Sequence, residues 1–234
     1  MKRLRIAHLY PKLLNIYGDY GNILTLIKRC EWRNVPVTVD DINVGDAISE
    51  YDIYFMGGGQ DSQQIEVSKE IQHHRDFLIS ERDRGAVFLG ICGGYQLFGH
   101  YYQTHNGDRL EGISLLDAYT VAGTKRFIGN VTVKTSLVQP PTLVGFENHS
   151  GLTYLQGNTT PIGVAEVGNG NNGQDKTEGA KYKNAFGTYM HGSFLPKNPH
   201  FADYLLELAL GEKLSEINDD IENNTHKSLL NKKY

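Results

Sequence analysis

The sequence predicts an α/β chain: a doubly wound, mostly parallel central sheet flanked by helices, with a β-rich C-terminal half. Three observations predict it. Short apolar runs alternate with helical-period segments through the first ~100 residues, the pattern of successive strand–helix units. One of those runs, Val87-Phe88-Leu89-Gly90-Ile91, leads into a glycine-framed turn with an apolar helix after it. Beyond residue 102 the texture changes to brief apolar stretches separated by Gly- and Asn-rich turns.

Taken in order, residues 4–10 read as a first buried strand. The turn Tyr17-Gly18-Asp19-Tyr20-Gly21-Asn22 follows, then Ile23, Leu24, Leu26, Ile27 and Cys30 at helical spacing, with Asp19 or Asn22 as the expected cap and Cys30 on the core face. Residues 35–39 and 51–56 read as the second and third strands, the latter ending in Gly57-Gly58-Gly59. A helix is expected over 63–84, stopped by Gly85. Residues 86–91 form the strand of the glycine-framed turn and 95–102 its helix. Asn106-Gly107 signals a hairpin. Short strands are expected at 127–134, 143–146, 162–167 and 184–189, packed on one edge of the parallel sheet, and a helix at 201–210.

The chain has 234 residues, 39% of them hydrophobic, enough for one sizeable core. One domain is expected over 1–211, and the charged segment 212–234 reads as a solvated tail, with a short helix on Leu214, Ile217 and Ile221 as the alternative. A net charge of −4 gives no basic surface for nucleic acid. Two cysteines, Cys30 and Cys92, make no disulfide framework, and neither a signal peptide nor a membrane span is visible, so a reducing cytoplasm is expected.

The chemistry concentrates at Gly90-Ile91-Cys92-Gly93-Gly94. A sharp strand-to-helix turn brings the residues two before and two after its central position together, so both must be small, and Gly90 and Gly94 are. Cys92 then sits at a helix N-terminus, where free N–H groups favour the thiolate. A lone cysteine is often merely buried, but glycines on both sides favour a nucleophile. A thiolate needs a base, and two of the nine histidines follow strands: His191 and its rival His149. His191 falls at the carboxyl edge where open α/β sheets carry their sites, the edge of Cys92, and His149 also stands just after a strand. The Gly57-Gly58-Gly59 loop follows a strand expected beside that of Cys92, and Gly58 and Gly93 are the expected backbone donors of an oxyanion hole. No phosphate-loop pattern occurs.

Three stretches, Gly90-Ile91-Cys92-Gly93-Gly94-Tyr95-Gln96, Gly57-Gly58-Gly59 and Tyr189-Met190-His191-Gly192, together resemble the class I glutamine amidotransferases. The resemblance is to the cobyric-acid-synthase-like branch, and it implies a flavodoxin-like sheet. Asn15-Ile16-Tyr17-Gly18-Asp19-Tyr20-Gly21-Asn22 and Gly145-Phe146-Glu147-Asn148-His149 narrow it to the glutaminase subunits of bacterial lipid II isoglutaminyl synthases. The resemblance implies that Cys92 attacks the side-chain amide of L-glutamine, that His191 is the base, and that Arg126 grips the substrate carboxylate. It also implies a Mur-ligase-like second subunit, MurT, carrying ATP, Mg and lipid II, so no cofactor is expected in this chain and its place is near the inner membrane face. Most of the class carries Glu two residues after the histidine; here that position is Ser193, leaving open whether water, a backbone carbonyl, Glu147 or a partner orients His191. The rival readings are a corrinoid amidation pairing, a non-catalytic regulatory subunit, and a cysteine hydrolase or redox-stress protein.

Overall fold

The computed structural model describes residues 3–230. Strand β1 (Leu4–Leu9) opens the central sheet, and helix α1 (Tyr20–Glu31) returns across it. Ile23, Leu26 and Cys30 form its buried stripe, so Cys30 is core, as expected. Neither expected cap acts as one. The Asp19 side chain makes no capping bond; it accepts the N–H of Gly58, while Asn22 Oδ1 accepts the N–H of Leu195. Asn15 Oδ1 receives the Tyr20 N–H instead.

Strands β2 (Val37–Ile42) and β3 (Ile53–Met56) both pair parallel with β1. The expected helix over 63–84 is broken: α2 (Asp61–Ile71) and α3 (Arg75–Arg84) are joined by a 3-10 turn at Gln72–His74. There Gln72 Nε2 reaches out to the carbonyl of Glu111 at 2.9 Å. Gly85 closes α3 with φ of 104°, as its residue type predicts. Strand β4 (Val87–Ile91) pairs parallel with β3. Every residue of β3 and β4 is buried, the mark of central strands covered on both faces.

Helix α4 (Gly93–Phe98) is shorter than the expected 95–102, because Gly99 turns extended and the chain becomes strand β5 (Tyr101–Gln103). The Asn106-Gly107 hairpin is present: β5 pairs antiparallel with β6 (Arg109–Glu111), and Gly107 has φ of 87°. The strands expected at 127–134 and 143–146 are parts of a long ribbon, β7 (Ala118–Lys134) with β8 (Thr142–Leu155). Its inward positions include Thr120, Glu147, His149 and Thr153, all buried, so the apolar alternation that marks a strand is missing over half its length. Strands β9 (Gly163–Val167) and β10 (Thr177–Glu178) extend this second sheet.

The chain then returns to the first sheet. β11 (Ala180–Tyr182) pairs antiparallel with β12 (Ala185–Thr188), which lies parallel to β4. The order is β11-β12-β4-β3-β1-β2, so Cys92 after β4 is flanked by the loops leaving β3 and β12. After α5 (Phe194–Lys197) and α6 (Pro199–Leu210), the charged end is no solvated tail. Helix α7 (Asp220–Leu230) docks on the domain. His226 is buried, donating from Nδ1 to the Lys197 carbonyl at 2.7 Å and accepting the Thr142 hydroxyl at 2.9 Å. Asp219 ion-pairs with Arg29 at 2.7 Å. Few apolar residues were needed because polar anchors hold the segment. Residues 231–234 of the expected tail lie outside the described residues.

Candidate active site

Cys92 follows β4 with φ of 50° and ψ of −102°, a conformation that costs energy for a residue with a side chain. The turn is as tight as its glycines predict. A Cβ on Gly90 would lie 2.9 Å from the Gly94 carbonyl carbon, and one on Gly94 would strike the carbonyl of Met56. The Cys92 N–H donates to Thr188 O at 2.9 Å, tying the nucleophile to the last residue of β12. Gly93 is the first residue of α4, so its N–H has no intrahelical acceptor.

His191 follows β12 and is fixed through its backbone, whose N–H donates to Phe146 O at 2.7 Å. Its ring stands beside Cys92 with Gly58 between: a Cβ on Gly58 would be 3.1 Å from His191 Cε1 and 3.3 Å from Cys92 Cβ. Burial pushes the imidazole pKa down, but the negative charge of Cys92 and then of Asp19 outweighs it and raises it to about 10. At neutral pH this environment favours the protonated ring beside Cys92. Tyr17 presents its ring edgewise to His191, with centroids 5.2 Å apart.

His149 lines the same cavity but is engaged otherwise. It lies flat on Tyr189 with ring centroids 3.6 Å apart, and its Nδ1 donates to Gly151 O at 2.8 Å. Burial lowers its pKa to about 4, leaving it neutral. Glu147, a candidate to orient His191, is spent elsewhere: it accepts the N–H groups of Asn169 and Gly170.

The cavity above Cys92 holds about 450 Å³, and Tyr17, Gln60, Gln96, Arg126 and Asn148 line it. Arg126 emerges from a register break in β7, and its Nε donates to Asn148 Oδ1 at 2.7 Å. One of five guanidinium donors is thereby used, and the outer fork is left for a carboxylate.

One expected donor is not open. The Gly58 N–H donates to Asp19 Oδ2 at 2.7 Å, so in this arrangement it is not free to meet an oxyanion. Gly93 retains that capacity. Sequence reasoning also passed over Gln64, whose Nε2 donates to Gln96 Oε1 at 2.8 Å and props the floor of the cavity. It missed Asp19 as well, 3.9 Å from His191 Nδ1. The only sequence signal for either was a polar residue near a predicted helix start.

The CobB/CobQ-like glutamine amidotransferase domain matches residues 5–199. The GatD subunit of the glutamine-hydrolysing lipid II isoglutaminyl synthase of Staphylococcus aureus is 43% identical over 215 residues, 91% of this chain and 87% of that protein. The corresponding subunit of Streptococcus pneumoniae is 41% identical, over 92% of this chain and 83% of its own. A probable cobyric acid synthase of Methanococcus maripaludis is 36% identical over 67% of this chain but only 33% of its own length. Among solved structures, Thermotoga maritima PurLQS superimposes with a TM-score of 0.61 at 13% identity, covering 90% of this chain and 99% of that one. That likeness shows the fold alone, a parallel α/β sheet flanked by helices. The chain belongs to the CobB/CobQ-like glutamine amidotransferases.

Proposed function

We propose that this chain is the glutaminase subunit of a lipid II isoglutaminyl synthase. The observation that carries the reaction is the placement of buried His191 beside Cys92 on the strained strand-to-helix turn. Cys92 Sγ attacks the side-chain amide carbon of L-glutamine, and the carbonyl electrons move onto oxygen, where the Gly93 N–H stabilises them. Collapse expels ammonia, which takes its proton from His191 and leaves a thioester on Cys92. Water, deprotonated by His191, attacks that thioester, and glutamate leaves with the thiol restored. Arg126 holds the α-carboxylate of glutamine by its outer fork.

The amidation half belongs to a partner. Two relatives that match over nine-tenths of this chain are named as subunits of a lipid II-amidating synthase. We assign the ammonia to a Mur-ligase-like MurT subunit that binds ATP and Mg and activates the D-glutamate carboxylate of the lipid II stem peptide. The heterodimer would work in the cytoplasm, at the inner membrane face where lipid II is displayed. No helix among the described residues is long and apolar enough to cross a membrane. The corrinoid reading is weaker, since cobyric acid synthases match over less of this chain and at lower identity.

Reconstitution tests the reading. This chain, the MurT-like subunit, ATP, glutamine and lipid II should together yield amidated lipid II, and omission of this chain should be rescued only by free ammonium. Glutamine-dependent product formed without this chain would refute it.

A further inference from the structure

We propose that Asp19 is the positioning carboxylate of His191, supplied from the loop before α1 in place of the glutamate that most class I amidotransferases carry at the position of Ser193. The inference rests on the glutaminase reading above and names how its base is held.

Asp19 is fully buried. Its two oxygens have different fates. Oδ2 accepts the Gly58 N–H at 2.7 Å. Oδ1 has no hydrogen-bond partner among the described residues and stands 3.9 Å from His191 Nδ1. An unpaired carboxylate oxygen in the interior is costly. What it faces is a ring nitrogen that is itself unpaired. A separation of 3.9 Å is an ion-pair distance, and a sub-ångström turn of the imidazole would close it to a hydrogen bond. Nδ1 would then donate to the carboxylate, which fixes the ring and leaves the Nε2 proton as the one exchanged during the reaction.

The substitution at position 193 is part of the same device. Ser193 Oγ donates to the carbonyl of Gly18 at 2.5 Å, so the residue that lacks a carboxylate holds the neighbour of the one that has it. Gly21 packs against that serine as well, where a Cβ would strike Ser193 Oγ. On the other side the loop is clasped to the glycine turn: the Ile16 N–H donates to Gly58 O at 3.2 Å, and a Cβ on Gly57 would lie 2.5 Å from the Leu14 carbonyl. The loop that carries the carboxylate is thus tied on one side to Ser193 and on the other to the glycine turn.

Other charged and titratable groups near His191 do not offer the same contact. Glu147 is held by Asn169 and Gly170. Glu178 Oε1 accepts the Thr188 hydroxyl and the Tyr189 N–H. Lys197 Nζ donates to the backbone carbonyls of His191 and Gly192, not to the ring. Tyr17 meets the ring by its edge, His149 is stacked on Tyr189, and Cys92 is the nucleophile. Asp19 also links two parts of the site, since the amide it fixes belongs to the glycine wedged between base and nucleophile.

The test compares wild type, Asp19→Asn, Asp19→Glu and Cys92→Ser, each with the partner subunit present. Asp19→Asn retains an acceptor for Gly58 but not the charge. We expect kcat for glutamine hydrolysis to fall about a hundredfold to ten-thousandfold with KM within about threefold. Asp19→Glu should recover part of the loss. The imidazole resonances of His191, followed by NMR, should titrate at lower pH in Asp19→Asn, by at least about one unit. A kcat within about threefold of wild type, or an unmoved His191 titration in a folded protein, overturns the proposal. The NMR readout needs no turnover, so it decides even if wild type proves inactive. If instead Cys92→Ser hydrolyses glutamine as fast as wild type, the glutaminase reading itself fails, and the two failures are told apart.

Discussion

The α-carbon of Gly58 separates Cys92 from His191, with room for a hydrogen and for little else. A methyl there would stand 3.1 Å from His191 Cε1 and 3.3 Å from Cys92 Cβ. Both distances are inside ordinary contact, and the ring is the part free to move. Gly58→Ala should therefore cut glutamine hydrolysis by more than about tenfold, a barrier change near 1.4 kcal/mol, while shifting Tm by only a few degrees. Full activity per folded molecule would show that the ring has slack.

Replacing the nucleophile gives the sharpest loss. Cys92→Ala should abolish glutamine hydrolysis and labelling by thiol-alkylating glutamine analogues while leaving the far-UV circular dichroism unchanged. His191→Ala should also fail to form the thioester, whereas His149→Ala should keep measurable turnover, because His149 is stacked on Tyr189 and neutral. Normal labelling in His191→Ala would reverse the assignment.

The elbow was legible in the sequence because its demand is local. Gly90 and Gly94 exclude side chains from each other's space within five residues, so spacing alone reveals the turn. The parallel strands were legible for a similar reason: β3 and β4 are apolar throughout. The β7–β8 ribbon was seen only in fragments, since Thr120, Glu147, His149 and Thr153 put polar side chains at buried positions where an apolar alternation would mark a strand. Asp19 was read as a helix cap because a cap needs only its neighbours. Its actual partners lie 39 and 172 positions away, at Gly58 and His191, and no periodicity reports such a contact.

Arg126 should govern substrate affinity. Arg126→Gln removes the charge and the fork and should raise KM for glutamine roughly tenfold to a hundredfold, the loss of one or more charge-assisted bonds at about 1.5–3 kcal/mol each. Lys should restore only part, lacking the planar fork. Calorimetry on a Cys92→Ser background reads the affinity directly, and an unchanged Kd would return Arg126 to a surface role.

The raised pKa of His191 sets a basic limit. Burial opposes the charged ring, but the thiolate of Cys92 and the carboxylate of Asp19 prevail, so the folded pKa of about 10 lies above the ordinary value of 6.5. The stabilisation this gives is fully present below 6.5 and is lost as pH rises through about 10. Capture of glutamine by the free enzyme, read as kcat/KM, should hold through neutral pH and decline toward that upper value, because the imidazolium that protonates ammonia disappears. A profile of kcat/KM against pH that already falls between pH 7 and 8 would contradict it.

Glu178 lies one step behind the nucleophile: it accepts the hydroxyl of Thr188, whose carbonyl binds the Cys92 N–H. Burial lifts its pKa to about 7 from 4.5, against the opposing donors Thr188 and Tyr189. The sign is that of a raised acid. The penalty is absent below 4.5, grows as pH climbs, and is complete above about 7. Glu178→Gln should therefore leave Tm nearly unchanged at acid pH and raise stability above neutrality by up to about 3 kcal/mol. Equal Tm shifts at both ends of the pH range would contradict the burial account.

Helix α1 is anchored at both ends by residues that are far away in sequence. At its start lies the loop that carries Asp19. Near its end, buried Arg29 is gripped by Asp203 of α6 and by Asp219, which leads into α7. Deleting the last segment would strip one carboxylate from an enclosed guanidinium that keeps Asp203, a loss below the roughly 3–5 kcal/mol of leaving a buried charge unpaired. The effect would not stay local. A helix is stiff along its axis, so loosening its far end tilts the near one, and the near one positions the carboxylate beside the base. A tag or a proteolytic nick after Gly211 would thus register as slow chemistry, with the glutamine pocket itself untouched.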